Sequence, residues 1–75
     1  MDAIYHMVLD RILVHTSKSN KYPTFEELRK ATRLRPAQLL YYLRENISDN
    51  RTEIIATSEG RVYAPVIEVR LKFDI

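Results

Sequence analysis

The spacing of apolar residues changes once along this chain, between residues 47 and 52, and this change constrains the fold most. Before it, apolar residues recur three or four positions apart, which is the period of a helix with one buried face. After it, β-branched residues cluster and then alternate with polar ones, which is typical of strands. The chain therefore combines helices with strands, and an all-helical fold is excluded.

The first helix is predicted within residues 2–16. Its apolar positions recur at i, i+3, i+4, i+7 and i+8 and give one stripe, formed by Tyr5, Val8, Leu9, Ile12 and Leu13. The next segment, Thr16–Lys21, is polar and rich in side chains that compete for backbone hydrogen bonds. This segment predicts a loop that ends the helix.

Two further helices are predicted after this loop. Thr24 and Glu27 have the spacing of a capping box, so a second helix of about ten residues is expected from Phe25. A turn at residues 33–35 follows, and Pro36 suits the first position of a third helix because its missing amide costs nothing there. The apolar stripe of this third helix is Leu39, Leu40, Leu43 and Ile47.

Residues 52–73 predict strands. Residues 52–57 and 61–64 flank Gly60, the only glycine of the chain, as in a tight β-hairpin. Residues 66–73 alternate and predict an additional C-terminal strand, whose apolar face is Ile67, Val69, Leu71 and Phe73. This strand either covers the apolar side of the same domain or pairs with a second chain at a sheet edge.

The predicted order of elements is that of a winged helix-turn-helix, an α+β fold with three helices followed by a β-hairpin and the additional C-terminal strand. A chain of 75 residues has room for one core, so residues 1–75 are expected to form a single winged-helix domain. Because an isolated hairpin is only marginally stable, it should lie against the helices and pair with an extended piece near Tyr22–Pro23. The expected core is Tyr5, Leu9, Ile12, Leu13, Phe25, Leu28, Leu40, Leu43, Ile47, Ile54 and Val62.

The composition argues against several functional classes. The chain has no cysteine, and His6 and His15 are nine residues apart and cannot pair as metal ligands on a helix, so no metal and no cofactor is expected. One glycine leaves no Gly-rich phosphate loop, and no nucleophile has a recognisable setting, so no enzyme is expected. The sequence has no apolar run near the roughly 20 residues that span a bilayer and no secretory signal, which predicts an intracellular protein with no membrane partner.

The net charge of +2 is unevenly distributed. Residues 18–51 hold eight basic against four acidic side chains, an excess of +4, whereas the segments on either side carry −1 each. Four cations lie within seven residues that contain no acid, which is typical of a surface facing the phosphates of double-stranded DNA: Arg29, Lys30, Arg33 and Arg35. The alternative is a solvated helix end whose cations interact favourably with the helix dipole.

The third helix supplies the other candidate contacts. Gln38 can pair with adenine, Arg44 with guanine or phosphate, and Tyr41 with phosphate, sugar or a thymine methyl group. The alternative for the tyrosine pair is that Tyr42 lies against the hairpin at the edge of the core while Tyr41 is exposed. Tyrosine and arginine are also favoured in protein interfaces, so Tyr42 is assigned, with the apolar face of the C-terminal strand, to partner binding. The hairpin tip is expected to contribute little to DNA binding, since Glu59 offsets the charge of Arg61.

From Tyr22 to Arg70 the chain resembles the central winged-helix domain of the beta subunit of general transcription factor IIE. The resemblance rests on Pro-Thr-Phe-Glu-Glu-Leu at 23–28, Glu-Asn-Ile at 45–47, and the hairpin from Glu-Ile-Ile at 53–55 to Gly-Arg-Val-Tyr-Ala-Pro at 60–65, followed by Val69 and Arg70. It implies a non-catalytic nuclear module near promoter DNA, in contact with other proteins of the transcription machinery. After Arg70, Leu-Lys-Phe at 71–73 departs from the polar, basic continuation of the family and leaves the partner of this tail open.

The sequence thus predicts a DNA-binding winged-helix module that acts in transcription, in initiation or regulation. The alternative is a winged helix without significant DNA affinity that docks a protein partner or a second copy of itself, through the C-terminal strand or the third helix.

Overall fold

The computed structural model describes residues 2–66, in which three helices precede an antiparallel two-stranded hairpin, an α+β arrangement compatible with a winged helix. The helices are α1 (Ala3–Ser19), α2 (Phe25–Thr32) and α3 (Pro36–Ser48), and the strands are β1 (Thr52–Thr57) and β2 (Gly60–Pro65). The predicted order of these five elements is confirmed. The predicted additional strand, with Ile67, Val69, Leu71 and Phe73, lies outside the described residues.

The first helix is longer than its sequence predicts. Asp2 caps its start by accepting a hydrogen bond from the Ile4 amide at 2.8 Å. The predicted loop at Thr16–Lys21 is wrong for its first four residues, because α1 continues to Ser19 and ends at Asn20, whose φ of 59° is left-handed. The hydroxyls of Thr16 and Ser19 donate to carbonyls four residues earlier, so these side chains find partners within the helix instead of interrupting it.

The start of α2 has the predicted capping box. The Thr24 hydroxyl accepts from the Glu27 amide at 3.2 Å, and the Glu27 carboxylate accepts from the Thr24 amide at 3.0 Å. The helix has eight residues, fewer than the expected ten, because Arg33 adopts a left-handed φ of 60° and stops it. The turn at residues 33–35 and the placement of Pro36 at the first position of α3 are confirmed.

The hairpin is attached to the helical part by a short extended segment. The Tyr63 amide donates to the Pro23 carbonyl at 2.9 Å, and Thr24 and Val62 form an antiparallel bridge, so the predicted pairing near Tyr22–Pro23 is confirmed. On its other side β2 pairs with β1, with Thr57 opposite Gly60 at the turn. Gly60 has a φ of 119°, a conformation that other residues rarely adopt. Among residues 2–66, β1 is therefore the edge strand.

The buried core lies where the three helices meet β2. It consists of Val8, Ile12, Leu28, Leu39, Leu43 and Tyr63. Three residues expected in the core are largely exposed, namely Leu13 at 45%, Leu40 at 38% and Ile54 at 46%. Neighbouring helical positions point about 100° apart, so α3 can bury Leu39 only by turning Leu40 outward.

Three polar side chains are buried beside this core, namely Thr16, Asn46 and Thr52. Asn46 is fully buried one turn after Leu43, and its side-chain amide donates to the Tyr42 carbonyl at 2.9 Å. Thr52, the first residue of β1, is 1% exposed. Beyond β2, the buried Val66 donates its backbone N–H to the Arg51 carbonyl at 3.1 Å. Val66 is helical, so the strand predicted over residues 66–73 is wrong at its first residue.

Candidate nucleic-acid interface

The corner between α2 and α3 holds two of the predicted contact residues on a fixed backbone. The Arg33 amide donates to the Arg29 carbonyl at 2.9 Å and closes α2, and the Arg35 carbonyl accepts from the Leu39 amide at 2.9 Å and opens α3. Between them, Leu34 packs against the core. Both arginine side chains are exposed. The backbone that carries these two cations is therefore held by the end of α2, by the start of α3 and by the packing of Leu34.

The free cations of this region are Lys30, Arg33, Arg35 and Arg44, which are all exposed and form no ion pair among the described residues. We call these four residues the corner cations. The nearest acidic influence on them is Glu26, which is bonded to Arg29 and also interacts with Lys30 at longer range. Guanidinium groups in such a setting are suited to phosphate oxygens, which they can bind through two parallel hydrogen bonds.

Arg29 differs from the corner cations because a carboxylate one turn earlier holds it. Its guanidinium donates two hydrogen bonds to Glu26, one of them from Nε to Oε2 at 3.0 Å. This contact lowers the pKa of Glu26 and raises that of Arg29, so both groups stay ionised and offset each other's charge. The predicted patch of Arg29, Lys30, Arg33 and Arg35 is thus brought together on one stretch, with Arg29 already paired.

The outer side of α3 carries Tyr41 and Arg44, in the second and third turns of the helix after the corner. Tyr41 is 57% exposed, the most exposed of the large apolar side chains in the described chain. The helical period places it on the same side as Arg44, facing away from Leu39 and Leu43. Gln38 is exposed as well, and its side-chain oxygen accepts a long hydrogen bond of 3.4 Å from the Arg35 amide.

Tyr42 packs at the edge of the core while Tyr41 is exposed, as the alternative for the tyrosine pair expected, and the Tyr42 hydroxyl reaches the start of α1. Its hydroxyl donates to the Asp2 carboxylate at 2.7 Å, and its ring packs against the core. This hydrogen bond lowers the pKa of Asp2 and is the main reason that the pKa of Tyr42 is raised. The Tyr41 ring stands edge-on to it, with 5.0 Å between ring centroids. The Tyr42 ring thus packs against the Tyr41 ring, and the Tyr42 hydroxyl is already bonded to Asp2.

A second tyrosine joins α1 to the end of α3. The Tyr5 hydroxyl donates to the Asp49 carboxylate at 2.7 Å, and burial, followed by this contact, raises the pKa of Tyr5. The two partners are 44 residues apart in the sequence, and no local pattern signals their contact. Together with the Tyr42–Asp2 bond, this contact fixes the orientation of α3 relative to α1.

The tip of the hairpin borders a cleft of about 440 Å³ lined by parts of α1, α2 and the turn, including His15, Lys21, Glu27 and Glu59. His15 lies with Nε2 at 3.4 Å from the Glu27 carboxylate, and its side chain is only 23% exposed. The cleft mixes basic and acidic groups and is not complementary to a phosphate. The tip therefore adds no positive surface to the corner.

No family model, curated protein or solved structure matches the chain. Residues 2–66 contain no cluster of three metal-ligating side chains, and none of their helices is long and apolar enough to cross a membrane.

Proposed function

We propose that this chain is a winged-helix module that binds double-stranded DNA through the α2–α3 corner and the outer side of α3, and that it acts in transcription. The observation that carries the proposal is the group of four corner cations, all exposed and free of ion pairs within the described chain. Association with transcription rests on the resemblance of the sequence to the transcription factor IIE beta subunit.

In the proposed complex the corner binds phosphates and so positions the protein, and α3 contacts base edges in the major groove. Arg33 and Arg35 bind phosphates on one strand, which directs the first turns of α3 into the major groove. Gln38, Tyr41 and Arg44 then face base edges and sugars. Because few cations contribute and the hairpin tip adds none, the affinity is expected to be low and to depend on other factors bound at the same DNA.

The salt dependence of binding tests this proposal. If each of the four corner cations neutralises one phosphate, the logarithm of the association constant should fall with the logarithm of salt with a slope of about −3.6. Fluorescence anisotropy on a labelled duplex, at several salt concentrations, measures this slope. Replacing Arg33 and Arg35 by glutamine should weaken binding and make the slope less negative by about 1.8.

A matched control removes the same charge elsewhere. Arg11 and Lys18 are both exposed on α1, outside the corner, and replacing both by glutamine should leave the slope nearly unchanged. Equal losses in the two double variants would show that only net charge matters and would contradict a contact surface at the corner. An absence of salt-sensitive duplex binding by the native chain would refute the proposed function.

The second candidate function is protein docking through the same side of α3. It is favoured by the exposure of Leu40 and Tyr41, at 38% and 57%, because large apolar side chains on a helix surface are typical of protein interfaces. The same titration separates the two functions, since a docking module has essentially no duplex affinity near physiological salt.

A further inference from the structure

A groove between the start of α1 and the last turns of α3 combines tyrosine rings with carboxylates. Its volume is about 240 Å³, and it is lined by Asp2, Tyr5, Tyr41, Tyr42, Glu45 and Asp49. We call it the acidic groove. Two of its carboxylates accept a hydrogen bond from a tyrosine hydroxyl, but none of the three has a cationic partner among residues 2–66. Such a groove is suited to a guanidinium group, which stacks on aromatic rings and donates to carboxylates.

The opposite end of the same helix carries the opposite charge. Arg35 precedes the first turn of α3, its side chain is exposed, and it forms no ion pair within the described chain. Between the two ends, Leu40 and Tyr41 are 38% and 57% exposed. Tyr41 and Glu45 are four residues apart and therefore lie on one side of the helix. The exposed surface of α3 thus runs from a basic start through an apolar middle to an acidic end.

We propose that α3 pairs with α3 of a second copy in antiparallel orientation, about a two-fold axis at Tyr41, and that Arg35 of each copy enters the acidic groove of the other. A helix rises about 1.5 Å per residue, so the partner's Arg35 lies about 9 Å from Tyr41 along the axis. This position falls between Glu45, at about 6 Å, and Asp49, at about 12 Å.

Charge complementarity selects both the partner and the orientation. The groove requires an exposed cation without a carboxylate of its own, and Arg35 is such a cation at the other end of the same helix. Antiparallel pairing forms the contact twice, because the two-fold axis repeats it. Parallel pairing would place Arg35 beside the partner's Arg35 and Glu45 beside the partner's Glu45, which is unfavourable.

The pairing uses part of the surface that is proposed to bind DNA. Arg35 and Tyr41 contribute to both contacts, so a duplex and a second copy would compete for α3. The pairing itself does not rest on DNA binding. An association measurement without DNA therefore tests it separately, and a failed duplex titration would leave its result unaffected.

The expected dimer is weak. A contact between two helices of 13 residues buries less than the roughly 1,200 Å² typical of stable complexes. Sedimentation equilibrium of the 75-residue chain without DNA should show a mass that rises with concentration from 8.9 kDa toward twice that value. Tyr41→Ser should weaken this association, because it removes the apolar centre of the contact.

A charge exchange tests the orientation. Arg35→Glu or Glu45→Arg alone places like charges together at both symmetric contacts and should raise the dimer dissociation constant about tenfold. The double variant, R35E with E45R, restores opposite charges and should return the constant toward its native value. Glutamate at the start of a helix and arginine near its end interact favourably with the helix dipole, so the exchanges do not disfavour folding. Circular dichroism of each variant verifies this.

Arg61→Glu is the matched control, since Arg61 is exposed on β2 and outside the pairing surface. It should leave the dissociation constant nearly unchanged. A native chain that stays monomeric up to millimolar concentration would overturn the proposal. Equal effects of R35E and R61E, or a double variant that fails to restore association, would overturn it as well. Association that is lost when Leu71 and Phe73 are replaced by serine, but that is insensitive to the charge exchanges, would assign the interface to the C-terminal segment instead.

Discussion

At the scale of single residues, Glu27 couples the start of α2 to pH. The backbone hydrogen bond from Thr24 is the main cause that lowers the pKa of Glu27 below its usual 4.5. The folded chain therefore binds this proton less readily than the unfolded chain does. The carboxylate contributes stability above pH 4.5 or so, and this contribution is lost as pH falls through the lower pKa of the folded state.

Glu27→Gln should remove this part of the pH dependence while it keeps an acceptor for the Thr24 amide. The free energy of unfolding in urea, measured between pH 3 and pH 7, should change less with pH in the variant than in the native chain. A native-like pH profile of the variant would contradict the role of Glu27. Glu26 and Asp2, whose pKa values are also lowered, supply the acid sensitivity that remains.

Glu26 controls whether Arg29 is free to bind phosphate. Its carboxylate holds the Arg29 guanidinium through two hydrogen bonds. If the corner binds DNA, Glu26→Gln should tighten duplex binding and make the salt slope more negative by about 0.9, because Arg29 becomes available as a further contact. Glu53→Gln removes the same charge from β1 and serves as the control in the anisotropy titration. An equal gain in both variants would show a general charge effect.

At the scale of elements, the rotation of α3 about its axis decides which leucine stabilises the protein. Leu39 is fully buried, whereas its neighbour Leu40 is 38% exposed. Leu39→Ala should lower the free energy of unfolding by about 2–5 kcal/mol, and Leu40→Ala by clearly less, because only the first leaves a cavity. Urea denaturation of both variants checks this. Equal losses would mean that α3 is rotated from the orientation described here.

The boundaries of most elements could be predicted because their signals are local. The capping box at Thr24 and Glu27, the proline at position 36 and the glycine at position 60 each act on backbone within a few residues. The end of α1 was wrong because Thr16 and Ser19 have two options, to bond within the helix or to compete with it. Composition alone does not distinguish these options.

At the scale of the whole molecule, two hydrogen bonds between tyrosines and carboxylates join α1 to α3. Tyr5 is 5% exposed, and its hydroxyl is bonded to Asp49. Tyr5→Phe should lower the free energy of unfolding by about 1.5 kcal/mol, since the lost hydrogen bond has a charged acceptor. Tyr42→Phe, which removes the more exposed bond to Asp2, is the comparison and should cost less. Urea denaturation at neutral pH measures both, and a larger loss in Tyr42→Phe would contradict this order.

The candidate site was only partly accessible from the sequence. The excess of positive charge at residues 29–35 is a local property and could be recognised directly. Glu26, three residues before Arg29, is visible in the sequence as well. Whether the two side chains pair depends on their rotamers once the helix has formed, and the sequence does not specify these. The separation of an exposed Tyr41 from a core-edge Tyr42 was one of the alternatives that the sequence offered, whereas the partner of the Tyr42 hydroxyl, Asp2, lies 40 residues earlier and has no local signal.

Within residues 2–66 the sequence by itself determined the order of the helices and strands and most of their ends, because caps, prolines, glycines and apolar periods act over a few residues. Only the tertiary structure decided which side of each element is buried, as with Leu39 and Leu40 in α3 or with the exposed Ile54 in β1. The reason is physical. When the apolar stripe of an element is wider than the surface it packs against, several rotations of the element about its axis are locally equivalent. Contacts between distant parts of the chain, such as Tyr5 with Asp49 and Tyr63 with Pro23, select one of these orientations.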